Sequence, residues 1–345
     1  MFTRSIVSLI IALLVTSTAV AQTPGEVNIY SARQETLIRP LLDAFPAATG
    51  ITVNIVSGDA DALLNRIQSE AQNSPADVLL TTDAGRLWRA KSAGVLSPIE
   101  STELNQLVPE NLRDTDQQWV GLSVRARPIM VSAKYLAKTT PELLPKTYAD
   151  LIDPRFEKQI CIRSSSNIYN QSLVAAMLAR QEVAQVEAWA KGLVRNMARS
   201  PQGGDRDQIK AAALGQCGIA IANTYYLANM LAPDSPQEDQ DAARAMSVIW
   251  PNQEDAGTHI NISGAGILKH APNKENALAL LLFLASDEAQ GIYANVNYEY
   301  PIRDGIELNP ILASWGDFVA DSLELTALGE NNAAAVKLMD RAGWR

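Results

Sequence analysis

Apolar positions along this chain switch repeatedly between short unbroken runs and helical stripes. Val27 to Tyr30 is a run of strand type, followed from Glu35 to Ala48 by Leu37, Leu41, Leu42 and Phe45 at helical spacing. Ile51 to Val56 reads as a second strand, and Leu63, Leu64 and Ile67 mark a helix from Ala60 that Asn73-Ser74-Pro75 breaks. Ala76 to Leu80 is a third strand, running into Thr81, Thr82 and Asp83, and a helix carrying Leu87 and Trp88 closes near Gly94. Such strand–helix alternation predicts an α/β lobe with a largely parallel sheet.

The pattern then starts again. Trp119 to Val131 is strand material interrupted at Pro128, the expected first passage into a second lobe. Beyond it come a helix or turn at Thr147 to Asp153, a strand at Ile160 to Arg163, and helices at Tyr169 to Arg180 and Val183 to Met197. Ile209 to Leu214 precedes a Gly-Gln-Cys-Gly turn and the strand Ile219 to Ala222, and Ala245 to Trp250 is a further strand. Ile260 to Leu268 returns the chain to the first lobe, Asn273 to Ser286 is helical, and the segment from Leu308 is mostly helical. The expected division is residues 1–21 as a signal peptide, 22–124 plus about 257–300 as the first lobe, and about 125–256 plus 301–345 as the second. Crossovers near Gly121 to Pro128 and Trp250 to His259 would act as hinges, and strand ends of both lobes would face a shared cleft.

The N-terminal segment changes the compartment. Arg4, the apolar run Ile6 to Val15 and the small-residue site Ala19-Val20-Ala21 have the layout of a secretory signal, with cleavage expected near Ala21. A transmembrane anchor is the rival, but the apolar stretch falls short of the roughly 20 residues a bilayer requires. No cysteine sits at the cleavage point to take a lipid. A periplasmic protein that is not membrane-embedded is expected.

Composition is ordinary, with 47% hydrophobic and 19% charged residues, and the formal charge is −9. That balance, without a basic stripe, argues against nucleic acid as a partner. In an oxidising compartment the two cysteines, Cys161 and Cys217, are either disulfide-bonded or two buried thiols. Enzyme motifs are missing: there is no G-x-S-x-G, H-E-x-x-H or P-loop, and Gly264-Ala265-Gly266 reads as tight packing or a turn. His259 and His270 are the only histidines, too few for a hydrolytic zinc centre. The Asp59/Asp61 and Asp205/Asp207 pairs read as helix-start and loop residues.

Tyrosine is the distinctive residue. Tyr225 and Tyr226 follow the strand Ile219 to Ala222 in NTYYL, and Tyr169 follows the strand Ile160 to Arg163 in SSNIYNQS. Ferric iron is a hard cation that prefers anionic oxygen, and a bound metal lowers the pKa of a phenol from near 10. On the residues alone, packing of a core or the lining of an organic-ligand pocket is the commoner use of such tyrosines.

Six segments carry a resemblance: VNIYSARQE at Val27 to Glu35, SPADVLLTTDAGRL at Ser74 to Leu87, RARPIMVS at Arg125 to Ser132, CIRSSSNIYNQSL at Cys161 to Leu173, GQCGIAIANTYYL at Gly215 to Leu227 and HINISGAGILKHAPN at His259 to Asn273. Across nearly the whole mature chain the sequence resembles the periplasmic ferric-iron-binding proteins of bacterial iron ABC transporters, in their tyrosine-rich branch. The resemblance implies an α/β, two-lobed periplasmic-binding-protein fold of type II with crossover hinge strands. It further implies Fe(3+) clamped between the lobes and delivered by a monomer to an inner-membrane ABC permease and its ATPase. Tyr169, Tyr225 and Tyr226 match the family's iron-binding tyrosines, and Arg127 matches an arginine that can hold a synergistic anion such as carbonate, with Arg125 as runner-up. The chain departs from the pattern after Arg33: relatives often have His-Tyr or His there, whereas Gln34 and Glu35 stand here. Gln34 is a weak neutral donor. Glu35 is a hard one if it points inward and a solvent-facing helix residue otherwise. Two other readings stand beside iron: a binding protein for a polyamine, thiamine or phosphonate, and an enzyme on a bilobal scaffold, as in porphobilinogen deaminase.

Overall fold

The computed structural model describes residues 25–345, so the expected signal peptide and its cleavage point lie outside the described residues. The first lobe opens with β1 (Glu26–Ser31), α1 (Glu35–Thr49), β2 (Thr52–Ser57), α2 (Ala60–Glu70), β3 (Val78–Thr82), α3 (Ala84–Ser92) and α4 (Thr102–Leu107). β4 (Val120–Ala126) passes through Arg127 and Pro128 into β5 (Ile129–Ser132), where the second lobe begins. There follow α5 (Ala133–Leu136), β6 (Ile160–Cys161), α6 (Ile168–Arg180), α7 (Val183–Asn196), α8 (Asp205–Leu214), β7 (Ile219–Ile221), α9 (Thr224–Leu231), α10 (Gln237–Arg244) and β8 (Met246–Ile249). The chain returns in β9 (Ile260–Ile267), α11 (Lys274–Leu284) and α12 (Asp287–Asn295), and ends with α13 (Pro310–Ala313), α14 (Thr326–Glu330) and α15 (Asn332–Arg341).

Each lobe is built on one sheet. The first has strand order β2-β1-β3-β9-β4, with β1 parallel to β2 and β3 and the returning β9 antiparallel to β3 and β4. The second has order β6-β7-β5-β8, with β6 parallel to β7 and β5 antiparallel to β7 and β8. β9 therefore enters the middle of the first sheet from the far side of the molecule, which makes the two lobes interdependent. Its glycines are required there: a Cβ on Gly264 would stand 2.5 Å from the Val120 carbonyl oxygen, and one on Gly266 2.7 Å from that of Gln118.

The apolar stripes read from the sequence form the cores. Ile38, Leu41, Leu42 and Phe45 of α1 pack with Ile29, Leu80, Trp119, Leu280 and Tyr293. Phe156, Trp189, Leu193, Ile219 and Trp344 fill the second lobe. Cys161 and Cys217 are joined in a disulfide, which ties β6 to the approach of β7 and closes a long loop worth about 2–4 kcal/mol. The C-terminal segment does not lie wholly in the second lobe, as expected for residues 301–345. Ile302, Leu312, Leu325 and Leu328 join the first core, and only from Ala335 to Trp344 does the chain join the second. Gly329 permits this, because a Cβ there would overlap Trp88 of α3. Among the described residues no single helix is long and apolar enough to cross a membrane.

Candidate metal centre

Tyr169 is the second residue of α6, whose cap is Asn167, and the Asn167 side chain accepts from the Tyr169 amide at 3.2 Å. Tyr225 and Tyr226 are the second and third residues of α9, behind Asn223. All three phenols thus sit in first turns, where the helix dipole favours negative charge. The fold brings them together: the hydroxyls of Tyr169 and Tyr225 are 3.4 Å apart, and the ring centres of Tyr225 and Tyr226 are 4.1 Å apart with the planes tilted by 32°. Tyr169 and Tyr225 are buried and Tyr226 is half-buried.

Arg125 supplies the countercharge. Its guanidinium carbon is 5.5 Å from the centre of the Tyr169 ring and 5.8 Å from that of Tyr225, and it donates to the Ile262 carbonyl. Burial works to raise the Tyr169 pKa, but the Arg125 charge and hydrogen bonds to Tyr225 and Thr82 bring it below the ordinary phenol value. Burial, with the neighbouring phenols, pushes Tyr225 well up, and burial likewise raises Tyr226. Tyr169 is thereby the easiest of the three to ionise, while a bound cation would have to displace the protons of Tyr225 and Tyr226 against their burial.

The expected anion residue, Arg127, is placed differently from its runner-up. Its Nη1 donates to Asn223 Oδ1 at 2.8 Å and faces Asp205 Oδ2 at 3.4 Å, and its Nη2 donates to Asn170 Oδ1 at 2.5 Å. With both Nη committed, Arg127 ties down the starts of α6 and α9, whereas Arg125 is the guanidinium that faces the phenols. Glu35 is turned away: it is exposed and paired with Arg39 one turn along α1. Gln34 makes no cap hydrogen bond to α1 and lines a cavity of about 430 Å³ with Arg163, Asp205, Arg206, Tyr225 and Tyr226. Asp205 is more than a helix-start residue, since its buried carboxylate accepts from the Asn223 amide at 2.9 Å.

Further residues around the cluster carry no signal in a motif. The buried carboxylate of Glu299 pairs with Arg33 at 2.8 Å and accepts from Ser123, bracing the strand that holds Arg125. Asp83, at the end of β3, has a φ of 83°, a conformation that costs a residue with a side chain about 1–3 kcal/mol. Its carboxylate accepts from Gly85 N at 2.8 Å, Asn261 Nδ2 at 2.7 Å and, across the cleft, Ser172 Oγ at 2.8 Å. Among the described residues no three His, Cys, Asp or Glu side chains converge to hold a metal.

The model of the bacterial extracellular solute-binding proteins matches residues 73–314. Iron uptake protein A1 of Synechocystis is 46% identical over 94% of this chain and 90% of its own length. This chain belongs to the family of periplasmic iron-binding solute-binding proteins. A solved Trichodesmium member, in complex with iron and citrate ligands, superposes on the family member described here with a TM-score of 0.88 at 47% identity, covering 93% of this chain and 100% of the other. The apo ferric ion-binding protein A of Pasteurella haemolytica gives 0.85 at 42% identity, over 92% of this chain and 98% of that one. The two-lobed type II binding-protein fold is shared throughout, and a periplasmic location is consistent with the family.

Proposed function

We infer that this protein is the periplasmic solute-binding component of an ABC transporter, that it binds ferric iron in the cleft between its lobes, and that it is not an enzyme. The observation that carries the reading is the convergence of Tyr169, Tyr225 and Tyr226 beneath Arg125 at the mouth between two α/β lobes. Three phenolates neutralise the charge of Fe(III), and their hardness disfavours Fe(II). Binding would hold the lobes closed by population shift, with bending at Arg127-Pro128 and at the 250–259 crossover. Gln34 faces the same cavity and can add a neutral oxygen or hold a water, while Glu35 would have to leave Arg39 to take part. A synergistic anion such as carbonate, if it completes the shell, is better served by Arg125, which faces the phenols, than by Arg127, whose Nη groups are bonded to Asn223 and Asn170. The remaining proposals are cleavage near Ala21, a monomeric state and delivery to an inner-membrane permease and its ATPase.

The test is a visible spectrum of apo-protein titrated with Fe(III)-citrate in bicarbonate buffer, with metal analysis. A single iron per chain and a broad phenolate-to-iron charge-transfer band are expected, and Tyr225→Phe/Tyr226→Phe should abolish the band. Absence of both band and retained iron in wild type would move the assignment to a small organic solute.

A further inference from the structure

We propose that Asp83 and Ser172 form the closing latch of the cleft: a carboxylate of the first lobe captures a hydroxyl on the metal-bearing helix of the second. The proposal rests on the iron reading above. Ser172 lies three residues beyond Tyr169 on α6 and so shares its helix face. Its Oγ is 2.8 Å from each oxygen of Asp83. Both side chains are fully buried, and the contact links residues 89 apart in the chain.

Asp83 is aimed by its own lobe. Asn261 of β9 donates to its carboxylate through Nδ2 and accepts the Ala84 amide at 2.9 Å, while the Gly85 amide holds the other oxygen. When the lobes part, the Asn261 and Gly85 anchors stay with Asp83 and only the Ser172 hydroxyl is lost. The surfaces are already in contact here: a Cβ on Gly85 would stand 3.1 Å from Asp83 Oδ1, 3.8 Å from Ile168 Cδ1 and 3.9 Å from Ser172 Oγ, so a side chain longer than that of Ala would press between α3 and α6. Closure therefore seats Ser172 on Asp83, and the strained backbone at Asp83 marks the point where the first lobe is shaped to receive it.

A ligand held only in the closed form is released in proportion to the open population. A hydrogen bond to a charged group shifts such an equilibrium by about ten- to a hundredfold. Ser172→Ala should accordingly speed iron release to a competing chelator by about tenfold or more. The charge-transfer band should keep its position and the stoichiometry should not change, because no phenol has been removed. Asp83→Asn keeps an acceptor and tolerates positive φ, so it should fall between wild type and Ser172→Ala. Solution scattering should show a smaller compaction on iron loading in Ser172→Ala, and thermal unfolding of the apo-protein confirms that each variant is folded. A wild-type band together with wild-type release rates in both variants would overturn the latch alone. No band in wild type would overturn the iron reading and the latch with it.

Discussion

The three phenols are chemically unequal because their surroundings are. Arg125 offsets the burial of Tyr169, whereas Tyr225 and Tyr226 face burial and one another's developing charge. Arg125→Gln should therefore remove the lowest tyrosine step from the alkaline ultraviolet titration of the apo-protein, since the cation that depresses the Tyr169 pKa is gone. It should also steepen the loss of iron on acidification, because every phenolate recruited must then release a proton held more tightly. His259 behaves in the opposite sense to a surface histidine. Burial, aided by the Arg127 charge, lowers its pKa from 6.5 to about 3. Between those values the unfolded chain binds a proton that the folded one refuses, so stability is complete above the unfolded value and falls as pH drops. The apo-protein should lose about 2 kcal/mol between pH 7 and pH 5 from this residue, and His259→Gln should flatten that part of the urea-midpoint profile.

Helix starts and strand ends do most of the work of assembling the site. Arg125 and Arg127 are two apart and would share a face on a continuous strand. β4 stops at Ala126 and Pro128 turns the chain, so their guanidinia part company: Arg125 meets the phenols and Arg127 meets Asn170, Asn223 and Asp205. Arg127 is a brace that holds two first turns in register. Removing its charge would leave the buried Asp205 carboxylate only the more distant Arg163, at 3.8 Å, as a cationic partner, and Arg127→Gln should cost about 1–3 kcal/mol in urea unfolding. Loss of iron affinity should accompany it, as both tyrosine-bearing helix starts loosen.

For the molecule as a whole, three segments bind the lobes to one another: Arg127-Pro128, the 250–259 crossover and the C-terminal stretch that leaves the first core after Leu328 and enters the second at Ala335. The third was not legible in the sequence, since the apolar spacing of α14 and α15 is alike and does not say against which lobe each packs. At the rear of the hinge a cavity of about 720 Å³ opens between α6 and residues 319–322, bridged by the Arg180–Asp321 ion pair. Tyr169 and Tyr225, by contrast, are buried.

Strand–helix alternation, the cores on α1 and α6, and the placing of Tyr169, Tyr225 and Tyr226 just past strand ends could all be read from the chain, because they depend on periodicity and on turn residues a few positions apart. The tertiary structure alone decided the orientation of Glu35, which a rotation of α1 hands to Arg39, and the pairing of Cys161 with Cys217 rather than two separate thiols. It also decided the union of Arg33 with Glu299 and of Asp83 with Ser172, residues 266 and 89 positions apart. Local propensity acts over a turn or two, whereas a buried charge finds its partner only when the sheets are in register and β9 has crossed back between them.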